Sequence, residues 1–164
     1  MENESVFTPE IKEIEKIKRA IIRICDDKKH ITKPLKRTIE KLGERIGLNI
    51  TNVNIYDKGE LMIEKIREII ENREEQNEEF PNMIIVDYDL KKDNPDYKTG
   101  DRIIKKTNKM CKENDMKLPI FVANSSEFSG ELLEAGATYN LKKEVGFEMV
   151  EKMLRSLIEI ENNK

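Results

Sequence analysis

Four short stretches hold the side chains that could do chemistry. Asp26 and Asp27 follow the apolar run Ala20-Ile21-Ile22-Arg23-Ile24-Cys25, and Asp87 follows Met83-Ile84-Ile85-Val86. Asn124 and Ser125 follow Leu118-Pro119-Ile120-Phe121-Val122-Ala123, and Lys143 follows Tyr139-Asn140-Leu141-Lys142. A short apolar run bounded by breakers reads as a buried central strand. An acid at the end of such a strand sits at the carboxyl edge of a sheet, where open α/β sheets bind their ligands. If three carboxylates meet at that edge, each pair repels by about 4 kcal/mol at 4 Å and an effective dielectric near 20. A proton, a lysine or a metal has to compensate. An all-oxygen donor set suits Mg²⁺, which takes few protein carboxylates and keeps several waters. With Lys143 opposite, the cluster suits an incoming phosphoryl group, whose transfer depends chiefly on positioning and charge neutralisation.

The elements that must bring these residues together can be read from periodicity. Ile31, Leu35, Ile39, Leu42 and Ile46 recur at helical spacing, with Thr32 as N-cap, Pro34 in the first turn and Gly47 as terminator. Val53-Asn54-Ile55-Tyr56 is a second strand, and Leu61, Ile63, Ile66, Ile69 and Ile70 mark a second helix. After the Asp87 strand and a polar loop over 91–98, Thr99 caps a helix with Ile103, Ile104, Thr107 and Met110 or Cys111 on one face. A short helix with Phe128, Leu132 and Leu133, a brief strand over 139–142 and a last helix with Phe147, Val150, Met153, Leu154, Leu157 and Ile158 complete the chain. Five strand–helix units imply an α/β fold: a doubly wound, flavodoxin-like five-stranded parallel sheet in the order 2-1-3-4-5. In that order strands one and three are neighbours, so Asp26, Asp27, Asp87, Asn124, Ser125 and Lys143 share one rim around the switch point.

Residues 1–18 are expected to form an extension, with Thr8-Pro9 opening a short amphipathic helix on Ile11, Ile14 and Ile17. That helix is able to pack on the domain of residues 19–164 or to make a homodimer or partner contact, and Arg23 is expected to reach its glutamates. The 164 residues are 38% charged and 5% aromatic, with a net charge of −3, so no basic stripe for nucleic acid is expected. No apolar run approaches the ~18 residues of a membrane span, so no membrane insertion is expected. The start Met1-Glu2-Asn3-Glu4 lacks a secretory pattern. The two cysteines have no metal-ligand spacing and read as reduced core residues of a cytoplasmic protein. A single histidine argues against a histidine triad or a multi-histidine metal site.

The segments Ile24-Cys25-Asp26-Asp27, Ile85-Val86-Asp87-Tyr88-Asp89, Pro119 to Ser125 and Ala135-Gly136-Ala137 through Lys143, with Thr99-Gly100 before the third helix, resemble the receiver domains of bacterial two-component response regulators, chemotaxis-regulator-like. The resemblance covers about residues 18–160 and implies a phosphoacceptor at Asp87. The donor would be a phosphohistidine on a histidine kinase or a histidine phosphotransfer protein. It further implies that Asp26 and Asp27 hold Mg²⁺ together with Asp87 and the backbone carbonyl of Asp89, and that Lys143 pairs with the acidic site and then with the phosphoryl group. Asn124 or Ser125 would supply the phosphoryl hydrogen bond. Output would pass through protein contacts, with no chemistry beyond self-phosphorylation and self-dephosphorylation. The sequence departs from the family at Asn124, where Thr or Ser is usual, at Asn140, where an aromatic is usual, and at Glu144, where Pro is usual. Two alternatives are an unphosphorylated pseudo-receiver and a Mg²⁺-dependent phosphohydrolase using Asp87-x-Asp89.

Overall fold

The computed structural model describes residues 19–72, 80–90, 95–125, 129–142 and 147–162. Its elements in chain order are β1 (Ala20–Cys25), α1 (Lys29–Arg45), β2 (Ile50–Tyr56), α2 (Gly59–Glu71) and β3 (Met83–Val86), followed by a 3-10 turn at Pro95–Tyr97. Then come α3 (Gly100–Glu113), β4 (Ile120–Ala123), α4 (Ser129–Ala135), β5 (Ala137–Asn140) and α5 (Phe147–Asn162). The five strands form one parallel sheet in the order β2-β1-β3-β4-β5, the doubly wound flavodoxin-like topology expected from the alternating pattern. The leading amphipathic helix falls in residues 1–18, outside the described residues.

The two faces of the sheet divide the apolar side chains by parity. Ile22 and Ile24 of β1, Met83 and Ile85 of β3 and Val122 of β4 pack with Leu35 and Ile39 of α1 and Val150, Met153 and Leu154 of α5. Ile84, Val86, Phe121 and Ala123 face the other way, against Met62, Ile63 and Ile66 of α2, Ile103 and Ile104 of α3 and Leu132 of α4. All four residues of β3 are buried, as a strand covered on both faces requires. Each fully buried isoleucine contributes about 1.5–3 kcal/mol, so the central strands are the most strongly held part of the sheet.

Two local features differ from the sequence expectations. First, α1 starts at Lys29 instead of after Thr32, because the Lys28 carbonyl already accepts the N–H groups of Ile31 and Thr32, at 3.0 and 3.1 Å. Pro34 therefore lies inside the helix, where it removes the ladder bond to the carbonyl four residues back, and Thr32 is buried. Second, β2 begins at Ile50 rather than Val53. Ile50 pairs with Ala20 and the exposed Asn52 with Ile21, while the exposed Thr51 sits at the register shift between them, so this end of the edge strand needs no alternating apolar side chains. The glutamates of the leading helix that Arg23 is expected to reach lie outside the described residues, and among those described its partners are on β2. Arg23 is 5% exposed and lies beside Asn54 in the β1–β2 register. Its Nη1 donates to Asn54 Oδ1 and, at 3.3 Å, to the Tyr56 hydroxyl, and the guanidinium lies 5.9 Å from the Tyr56 ring centroid.

Candidate metal and acceptor site

The parallel ladder continues one residue past each strand and sets up the rim. Asp26 N–H donates to the Tyr56 carbonyl at 3.0 Å, Asp87 N–H to Cys25 at 3.0 Å, Asn124 N–H to Val86 at 2.9 Å and Leu141 N–H to Ala123 at 2.8 Å. Asp26, Asp87 and Asn124 are thus held in one row by backbone bonds, and they are 2%, 2% and 1% exposed. Of the residues expected at the site, Lys143 lies outside the described residues.

One carboxylate oxygen each of Asp26, Asp27 and Asp87 lies within 4.8 Å of the others. Asp26 and Asp87 are buried and Asp27 is half-buried, so the cluster opens to water on the Asp27 side. At an effective dielectric near 20, each such pair of like charges repels by about 3–4 kcal/mol. The arrangement suits a small divalent cation: a hard, all-oxygen donor set with few protein ligands and one open side for water. The field of the cluster also reaches downward. Burial pushes the Cys25 thiol well above the usual thiol range, and the charges of Asp26, Asp87, Asp57 and Asp27 push it further.

The two oxygens of Asp87 are held differently. Oδ1 accepts the Tyr88 backbone N–H at 2.8 Å, and Oδ2 accepts the Lys28 ammonium at 3.2 Å. The same ammonium lies 3.9 Å from Asp27 Oδ1, and the Lys28 backbone N–H donates to Asp26 Oδ1 at 3.0 Å. One residue therefore touches all three acids. The sequence reasoning missed Lys28, although its place directly after Asp26-Asp27 was the available signal. Which way a loop side chain turns depends on the fold of the loop, and spacing alone does not encode it.

Backbone packing fixes the loop after Asp87. Gly100 N–H donates to the Tyr88 carbonyl at 2.8 Å, Leu90 N–H donates to Lys98 at 3.0 Å, and Asp89 bridges Thr99 in an antiparallel pair. A Cβ on Gly100 would stand 2.2 Å from the Asp87 carbonyl oxygen, so only glycine fits beside the acceptor strand. Thr99 occupies the N-cap position of α3, as expected, without a side-chain capping bond. The Asp89 side chain is exposed and is not among the three clustered acids. Across the rim, Asn140 Oδ1 accepts the backbone N–H groups of Ser125 and Lys142, at 3.4 and 3.0 Å. A side chain that replaces the expected aromatic thus ties the end of β4 to the turn leading to residue 143. Lys142 in that turn is left-handed, with φ +56°.

A five-stranded parallel sheet of this order, with a row of acids at the switch point, is the receiver-type fold of response regulators. Among solved structures, the chain is similar to the response regulatory domain of protein mrkE from Klebsiella pneumoniae, with a TM-score of 0.62 at 14% identity over 88% of this chain and 99% of that one. It is also similar to the response regulator RPA3017 in red light signaling of R. palustris, with a TM-score of 0.53 at 14% identity over 84% and 90% of the two chains. The anti-anti-sigma factor PhyR from Bartonella quintana matches with a TM-score of 0.53 at 16% identity, over 98% of this chain and 56% of the longer PhyR chain. No protein-family model matches the sequence, and no curated protein matches it. Among the described residues, no helix is long and apolar enough to cross a membrane.

Proposed function

We propose that the protein is a two-component receiver whose Asp87 accepts a phosphoryl group from a phosphohistidine donor. The observation that carries this reading is the convergence of Asp26, Asp27 and Asp87 on the rim of a receiver-type sheet, with Asp87 itself 2% exposed. Asp26, Asp27 and Asp87 would hold Mg²⁺, with the Asp89 carbonyl as a further ligand. When bound, the ion neutralises the acids and the phosphoryl oxygens. The chain's own residues do the rest. The backbone bond from Tyr88 fixes Asp87 Oδ1, and that bond together with the Asp87–Cys25 ladder bond orients the carboxylate. Oδ2, held by a movable side chain, attacks phosphorus. The new O–P bond forms as the P–N bond to the donor imidazole breaks, and the electron pair leaves with that nitrogen. Lys143 balances the added charge, and the Asn124 amide or the Ser125 hydroxyl donates to a phosphoryl oxygen. The phosphoryl group adds about −1.5 to −2 of charge, enough to reorganise nearby loops for a downstream protein.

Incubation with Mg²⁺ and acetyl phosphate, followed by intact mass measurement, should give one added phosphoryl group, and Asp87→Asn should abolish it. A second reading, an unphosphorylated binding module of the same fold, is favoured by Asn140, whose amide oxygen is engaged by two backbone N–H groups at the position of the usual switch aromatic. Wild-type protein that neither forms the adduct nor binds Mg²⁺ would select it.

A further inference from the structure

Lys28 occupies a position that local helix physics does not assign to a lysine. It is the N-cap residue of α1, with extended φ −98° and ψ 98°, and no acid follows in the first turn. N-caps favour Ser, Thr, Asp or Asn, and the positive end of the helix dipole disfavours a cation. The compensating partners lie across the rim: Asp87 Oδ2 at 3.2 Å and Asp27 Oδ1 at 3.9 Å. The Lys28 side chain is 38% exposed, whereas the Asp87 side chain it touches is 2% exposed. The ammonium thus lies between carboxylate oxygens of two of the three acids that could hold a divalent ion.

We propose that the Lys28 ammonium is a built-in counter-ion of the acid cluster, and that a divalent cation must displace it before Asp87 can accept a phosphoryl group. This proposal rests on the phosphoacceptor reading above. The displacement is mechanically easy. A flexible four-carbon stem can swing the ammonium into water while the Lys28 backbone N–H keeps its bond to Asp26 Oδ1. Lys28 is therefore a positioning residue: it keeps the cluster folded without metal and sets the cation concentration at which the acceptor becomes available. Partial exposure screens the ion pair, so the competition is worth about tenfold in affinity, the equivalent of ~1.4 kcal/mol.

The test is Mg²⁺ titration by calorimetry on the full chain, with wild type, Lys28→Gln and Lys28→Arg. Thermal unfolding with chelator and with saturating Mg²⁺ runs alongside. Lys28→Gln should bind Mg²⁺ about tenfold more tightly, and Lys28→Arg should stay within about threefold of wild type. Lys28→Gln should also melt below wild type in chelator and gain more from Mg²⁺, a crossing that a merely structural role would not produce. Binding by Lys28→Gln alone would support the proposal in its strongest form. If wild type binds and Lys28→Gln binds equally or more weakly, the displacement idea is overturned while the receiver reading stands. If neither protein binds, both fall.

Discussion

Replacing Gly100 by alanine is the sharpest way to ask whether backbone packing sets the position of Asp87. The new Cβ would start 2.2 Å from the Asp87 carbonyl oxygen and 2.9 Å from Leu132 Cδ2. Ordinary C···O contacts begin near 3.3 Å, so β3 and the start of α3 must separate by about 1 Å. That movement stretches the 2.8 Å bond from Gly100 N–H to the Tyr88 carbonyl, the residue next to the acceptor. Overpacking of this kind costs about 1–3 kcal/mol, and the weakened hydrogen bond adds about 1. The better helix propensity of alanine returns at most ~1 kcal/mol. The net loss of about 2 kcal/mol should lower the melting temperature by roughly 4–8 °C for a chain of this size. It should also slow adduct formation on Asp87. Gly130→Ala is the control: it lies in α4, and among the described residues beyond its own helix nothing stands within 4 Å of the added Cβ, so it should be neutral or slightly stabilising. Two results would refute the reasoning: a Gly100→Ala protein that melts with wild type, or one that melts lower yet is phosphorylated at the wild-type rate.

Further outcomes follow from the same geometry. The Cys25 thiol stays protonated in the folded state above its ordinary range of about 8.5. Only the unfolded chain releases that proton as pH rises, so this contribution is intact below about pH 8.5 and declines above it by ~1.4 kcal/mol per unit. Denaturant titrations at rising pH should show the decline, and Cys25→Ala should flatten it. Asn140→Ala removes the acceptor of two backbone N–H groups and should cost about 1 kcal/mol, with the Ser125 and Lys142 amides exchanging faster together in hydrogen-exchange measurements. Asn54→Ala leaves the buried Arg23 guanidinium short of an acceptor and should destabilise by about 1–3 kcal/mol, more than Arg23→Met, which removes the buried charge itself. Urea unfolding would rank the two.

The sheet order and the meeting of the three acids were legible because both depend on strong, repetitive signals. Runs such as Met83 to Val86 have the apolar continuity that only a strand covered on both faces needs. Once alternation fixes a parallel sheet with strands one and three adjacent, Asp26 and Asp87 must be neighbours. Positions set by loop folding were less legible. The helix after β1 begins three residues before the expected cap at Thr32, and that early start is what turns Lys28 back over Asp87. The first residues of β2 were missed because an edge strand tolerates Thr51 and Asn52 in the open. Asn140 was read as a lost aromatic, whereas its use as a double acceptor depends on the local turn at Lys142 and on the Ser125 N–H, which only the sheet brings beside it.

The clamp after the acceptor strand has a consequence for how such a protein can change over time. Tyr88 is tied to Gly100, Asp89 to Thr99, and Leu90 to Lys98, so the chain leaves and re-enters the site through a closed backbone gate. Of the segment in between, Pro95–Tyr97 forms the 3-10 turn, and Tyr97 packs against the second core cluster with the Lys106 ammonium 4.9 Å from its ring centroid. The three ties are made by backbone groups, so the register of the acceptor does not depend on which side chains positions 88 to 90 carry. A lineage can therefore change an exposed side chain such as that of Asp89 and revise what is displayed next to the site while Asp87 stays in register.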